Sequence, residues 1–258
     1  MIIKNDAELK QYQQVARIST NILEQLRQAV KIGVTPLAID ALADKLSEKY
    51  QVRPSFKGVG AKNNQYQHAT CIAVNDTVVH GIPDDRPFED GDVVKVDFGI
   101  EKDGLQTDHC FTVGVGNLSA EDDHLIKTAK KAIQTAAKKA IVGSRVGDLG
   151  FIIQSIANQN GCTVAKEFVG HGIGYTMHEA PQIPAYGNKG KGQELKKGMV
   201  LCVEAQILAG EDDIYFADDG WTVKTCDGSK AAMFEYMVVV QADKPIFLTP
   251  TLNWPIRV

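Results

Sequence analysis

No run of this chain is apolar for long enough to cross a bilayer as a helix, which takes about 20 residues. The opening MIIKNDAELKQYQQ turns charged and polar too quickly to be expected as a secretory leader. Charge of one sign is not in excess. With 28 Lys and Arg against 32 Asp and Glu, the formal net charge is −4. That balance offers no electrostatic case for nucleic acid or an acidic membrane as partner. The five cysteines (Cys71, Cys110, Cys162, Cys202, Cys226) are odd in number and form no CxxC pair. Such usage fits a reduced, cytoplasmic chain in which all five are small buried hydrophobes.

What is present is 258 residues, 44% of them hydrophobic, enough for one large domain or two small ones. Asn5 with Glu8 makes a capping-box pattern. Leu9, Tyr12, Ala16, Ile22, Leu26 and Val30 then recur at helical spacing until Gly33. Thr35-Pro36 opens a second helix that runs to about Tyr50. A third is predicted from Ser119 to about Val142, its first turn carrying Glu121, Asp122 and Asp123, and a fourth from about Gly147 to Asn160. From Cys162 onward the pattern is of strands joined by Gly- and Asp-rich turns. The stretch 187–198, GNKGKGQELKKG, has the composition of a mobile loop with solvated lysines.

The halves echo each other. A glycine precedes a helix at Gly33 and again at Gly143. GDVVKVD (91–97) matches GMVLCVE (198–204): a Gly turn leads into an apolar strand whose seventh residue is an acid. Each half has a further acid downstream, Asp108 in one and Glu235 in the other. The expectation is α+β architecture in one catalytic domain, with pseudo-repeats of about 1–115 and 116–258. Each repeat would bring paired helices and an antiparallel hairpin to a shared centre.

Asp97, Asp108, His171, Glu204 and Glu235 are the candidate site. Each interrupts or borders an apolar or Gly-rich segment, where charge is normally excluded. Buried carboxylates are neutralised, paired or bound to metal. Four acids and one imidazole are a donor set for two divalent cations. Asp103-Gly104 signals a two-residue hairpin loop. Lys102 then faces Leu105, Asp97 faces Cys110, and Asp97 and Asp108 become diagonal neighbours on one face. Taken alone, each acid could be an edge-strand residue or a partner of Lys or Arg. His171 and His178 could each be structural.

Taken together, NDTVVHGIP, VDFG with the later TD, GHGIG, HEAP, GMVLCVEAQI and MFEY carry a family resemblance. In their order and spacing the chain resembles, over nearly its whole length, the methionine aminopeptidases of the pita-bread (creatinase/aminopeptidase) metallopeptidase fold. It is of type I by length, with no long insertion between Glu204 and Glu235. The resemblance implies Asp97 on one metal, His171 and Glu204 on the other, and Asp108 and Glu235 bridging both. The ions would be Co, Mn, Fe or Zn. A bridging hydroxide would attack the scissile carbonyl, His178 would hydrogen-bond the scissile peptide, and His80 would stand near the substrate amide. Glu204 would shuttle the proton to the leaving amine, and Trp221 would lie near the substrate pocket. The implied partners are peptides and nascent-protein N-termini, with the ribosome as a candidate contact and a monomer as the expected state.

Several positions depart from the family pattern. Met177 precedes His178 where an aromatic is usual, Tyr236 follows Glu235 where His is common, and Met233 replaces Gln. The 58–69 loop lacks the tyrosine-bearing run that shapes the methionine pocket, a place that Tyr66 could fill. Flexible, apolar Met177 could still line a thioether pocket. These changes bear on side-chain selectivity rather than on metal chemistry. The enzyme alternative is an X-Pro aminopeptidase or dipeptidase of the same fold, which usually carries a large extra N-terminal domain. A second alternative is a non-catalytic, protein-binding relative, which would typically have lost metal ligands. Asp97-Phe98-Gly99 spells DFG, but no kinase catalytic loop precedes it.

Overall fold

Four helices form where local signals place their starts, and tertiary pairing decides where two of them stop. The computed structural model describes residues 1–258. Helix α1 (Asp6–Ala29) is capped by Asn5, whose Oδ1 accepts from Glu8 N at 2.9 Å. Glu8 reaches back one residue further than the usual box, accepting from Lys4 N. The helix ends before Gly33 because the next segment pairs elsewhere: Gly33 N donates to Phe88 O and Phe88 N to Val34 O. Helix α2 (Pro36–Tyr50) begins and ends as its sequence implies, with Thr35 as N-cap. Helix α3 (Ala120–Lys138) stops short of Val142, because Val142 N donates to Gln241 O instead of continuing the helix. Helix α4 (Val146–Gln159) follows, with Asp148 accepting from Arg145 N at 2.7 Å.

Helix α1 packs on α2 and α3 on α4, and the strands between and after them form antiparallel sheets. One sheet is ordered Thr70–Val74, Val93–Phe98, His109–Gly114. The larger sheet is ordered Glu179–Pro184, Val169–Gly172, Val200–Leu208, Ala231–Val239, Ile246–Phe247. The hairpin takes the register that the Asp103-Gly104 turn predicts, both in the short ladder of Ile100–Lys102 with Leu105–Gln106 and in the second and third strands of the small sheet. Lys102 pairs with Leu105 and Asp97 with Cys110. Both turn residues have positive φ, as the tight hairpin requires.

The sheets meet along a seam of side chain-to-backbone bonds. Thr112 Oγ1 accepts from Met233 N at 2.9 Å, and Asp108 N points at Met237 Sδ at 3.3 Å. Lys95, wholly buried, donates its ammonium to Ala231 O at 2.8 Å and to Asn75 O at 2.9 Å. The principal core is one cluster of 55 buried residues drawn from α1 through to Leu248, so both halves contribute to one interior.

Two expectations from composition need correction. Cys226 is exposed, while the other four cysteines are buried. It lies just past the Val223–Thr225 strand, in a turn whose residues face solvent. The 187–198 stretch is strapped to the start of α4 rather than free. Val146 N donates to Gln193 O, Gly147 N to Lys191 O and Leu195 N to Ser144 O, and Leu195 is buried. Lys189 is not simply solvated, since its ammonium stands 4.5 Å over the Phe151 ring.

Candidate metal centre

Asp97 lies on the small sheet, Asp108 sits immediately before that sheet's third strand, and Glu204, Glu235 and His171 are placed by strand register on the large sheet. Glu204 and Glu235 are directly opposite on neighbouring strands. His171 pairs with Cys202, two residues from Glu204 on the same strand and so on the same face. Its flanking glycines permit this approach: a Cβ at Gly170 would stand 2.6 Å from Cys202 O, and one at Gly172 2.3 Å from Ala180 O.

The structure brings all five predicted residues together. Donor atoms of Asp97, Asp108 and Glu235 lie within 4.8 Å of one another. His171 Nε2 is 3.5 Å from Glu204 Oε1 and 3.9 Å from Asp108 Oδ2. His171 Nδ1 lies 3.0 Å from Gly172 O and donates to it, which leaves the Nε2 lone pair turned toward the carboxylates. Asp108, Glu204 and Glu235 are all buried, and Asp97 is half-buried. Asp97 Oδ1, Asp108 Oδ1 and Glu235 Oε1 are buried without a hydrogen-bond partner.

No lysine or arginine lines this cluster. Removal from water pushes the Asp97 carboxyl up to about 7 and that of Glu204 up to about 8. Burial, reinforced by the neighbouring acids, pushes Asp108 and Glu235 well above the carboxylate range. The His171 imidazole is pulled down to about 4 by burial and by His178. Orphaned carboxylate oxygens, a neutral imidazole lone pair and an absence of side-chain cations fit a site for divalent metal with oxygen and nitrogen ligands.

Above the cluster is a cavity of about 280 Å³. His178 stands on its rim, its ring 4.5 Å from that of His171, with a nitrogen within 4.8 Å of donor atoms of His171 and Asp108. His80 lies in the wall with positive φ, its ring edge-on to Phe168 at 5.3 Å, and burial lowers its pKa to about 4. Met177, Tyr66 and Trp221 line the cavity too. Tyr66 is buried and spends its hydroxyl on Thr70 O and Gly81 O. Trp221 follows a turn in which Asp219 accepts from both Trp221 N and Thr222 N, while its indole faces the pocket. Met233 lines the floor, whereas Tyr236 lies apart from the cavity and accepts from Gln134 Nε2 at 3.3 Å.

Sequence reasoning missed Gln206, Cys71, Phe56 and Phe168, all of which line the cavity. Gln206 Nε2 donates to Glu204 Oε2 at 3.1 Å and points at Met233 Sδ at 3.4 Å. The period of two along the strand from Glu204 carried that signal. Cys71 pairs with Asp97 across a long-range contact that no local pattern reveals.

Residues 10–242 match the model of metallopeptidase family M24. A methionine aminopeptidase of Clostridium acetobutylicum is 38% identical over 250 residues, covering 96% of this chain and 98% of that protein. The crystal structure of a methionine aminopeptidase from Thermotoga maritima superimposes with a TM-score of 0.91 at 35% identity, covering 96% of this chain and 99% of that one. An X-Pro aminopeptidase from Thermotoga maritima reaches a TM-score of 0.74 at 22% identity, with 100% of this chain matched to 62% of that one. That likeness is one of fold alone. The shared fold is the pita-bread architecture expected from the motif order.

Proposed function

The chain belongs to metallopeptidase family M24, and on that footing we propose that it is a metal-dependent methionine aminopeptidase, releasing the N-terminal methionine of peptides and nascent proteins. The observation that carries the reading is the convergence of Asp97, Asp108, His171, Glu204 and Glu235 beneath a largely apolar cavity. In this reading Asp97, Asp108, His171, Glu204 and Glu235 would hold two divalent cations of Co, Mn, Fe or Zn. When bound, such ions supply Lewis acidity toward a carbonyl oxygen and make hydroxide available near neutral pH.

The rest of the work falls to the chain's own side chains. His178 stands on the rim, where a neutral imidazole N–H can donate to the scissile carbonyl oxygen as negative charge develops on it. In this reading the wall residue His80, kept neutral by burial, hydrogen-bonds the substrate amide. Glu204, steadied by Gln206, carries a proton on a carboxyl oxygen to the leaving amine nitrogen. Met177, Tyr66 and Trp221, with Phe56, form the apolar wall against which the N-terminal side chain packs.

The experiment is to strip the protein of metal, add back Mn, Co, Fe or Zn one at a time, and follow free methionine from Met-Ala-Ser. Metal-dependent release is expected. A protein that binds none of these ions would instead favour the non-catalytic, protein-binding alternative.

A further inference from the structure

One wall of the cavity is an indole, and that indole is held by a hairpin with no part in the chemistry above. The strands Gly60–Ala61 and Asn64–Gln65 pair antiparallel, with Ala61 opposite Asn64. Asn64 Oδ1 accepts from Trp221 Nε1 at 3.1 Å. The same ring meets Tyr66 edge-on at 5.1 Å. Tyr66 cannot yield, because its hydroxyl is fixed between Thr70 O and Gly81 O at 2.9 and 3.0 Å. The hairpin backbone itself lies against the indole. A Cβ on Gly60 would stand 2.7 Å from Trp221 Cζ2, and the φ of +105° there is one that side chains rarely adopt. Trp221 is therefore pinned at its ring nitrogen by Asn64, with Gly60 backbone and Tyr66 packed against it.

We propose that Asn64 and Gly60 determine the specificity of the N-terminal side-chain subsite by fixing Trp221. The fixed ring would admit a slim, flexible apolar side chain such as that of methionine and hold out a wider one such as phenylalanine. The inference rests on the aminopeptidase reading above. Asn64 is a positioning residue, acting through the indole. Gly60 acts by what it lacks, since any side chain there pushes the indole or the hairpin aside. The hairpin is exposed, so both residues can be changed without disturbing the core.

The chain has two tryptophans, so Trp254→Phe leaves Trp221 as the only indole reporter. In that background Asn64→Ala should move the Trp221 emission and raise its quenching by acrylamide. KM for Met-Ala-Ser should rise about 3- to 10-fold, the range expected for one lost hydrogen bond, with kcat within about twofold. The preference for Met-Ala-Ser over Phe-Ala-Ser should narrow. Asn64→Asp, which keeps the acceptor oxygen, should restore emission and KM, and Gly60→Ala should reproduce the Asn64→Ala emission change. Unchanged emission and quenching in Asn64→Ala would overturn the proposal, as would changed emission with KM and the methionine preference intact. A wild-type protein that releases no methionine fails the aminopeptidase reading instead. The subsite is then judged by whether free methionine, but not phenylalanine, quenches Trp221 in wild type and loses that selectivity in Asn64→Ala.

Discussion

Glu204 and Glu235 face each other directly across neighbouring antiparallel strands, buried and with no lysine or arginine beside them. Like charges so placed repel, and removal from water adds to the cost. A cation relieves both terms at once. Asp108→Ala or Glu235→Ala should therefore abolish metal binding and hydrolysis together, read by metal analysis and methionine release on the same preparation. Activity persisting in rigorously metal-free Asp108→Ala protein would contradict this.

His178 stands on the rim rather than within the buried cluster. His178→Ala should lower kcat by about 10²- to 10³-fold, the range for loss of one donor to a developing oxyanion, while metal content holds. Metal lost along with activity would show that this imidazole is a ligand.

The metal-free protein should grow less stable as pH rises. The Asp97 and Glu204 carboxyls titrate near 7 and 8 in the folded chain against about 4 when unfolded. Between those values the folded state holds protons that the unfolded state has shed, so stability falls as pH climbs from about 4 to about 8. A melting series on stripped protein should show Tm dropping across that window and recovering on addition of Mn. The drop should shrink in Asp97→Asn/Glu204→Gln protein, which removes the two titrating carboxyls. A metal-free Tm that rises across the same window would reverse the sign.

Lys95 is a buried ammonium that joins the strand of Asp97 to the carbonyls of Asn75 and Ala231. Lys95→Met keeps an unbranched chain one atom shorter but leaves both carbonyls unpaired, costing about 1–3 kcal/mol of stability for each buried group left unsatisfied. Denaturant unfolding measures this directly. A stability equal to wild type would mean that water or a dissolved cation takes the place of the ammonium.

The candidate cluster was legible because its signals are local. Asp103-Gly104 sets a two-residue turn, and counting outward from it pairs Asp97 with Cys110, the register observed. Glu204 and Glu235 betray themselves by interrupting apolar strands, and the glycines around His171 mark a close backbone approach. Long-range pairing was not legible. The ends of α1 and α3 are set by Phe88 and Gln241, far along the chain, and helical periodicity overshoots both. The cavity walls depend on Cys71 meeting Asp97 and on Asn64 reaching Trp221, contacts that propensity does not encode. Composition misread the 187–198 stretch because glycine and lysine are equally at home in a strap docked on α4.

The most direct test is the ratio of kcat/KM for Met-Ala-Ser to that for Ala-Pro-Ala, measured on metal-reconstituted protein. The methionine aminopeptidase reading predicts release of free methionine and little or no cleavage of the Ala-Pro bond. Preferential cleavage of Ala-Pro-Ala would contradict it and make the chain an X-Pro peptidase built on the same fold.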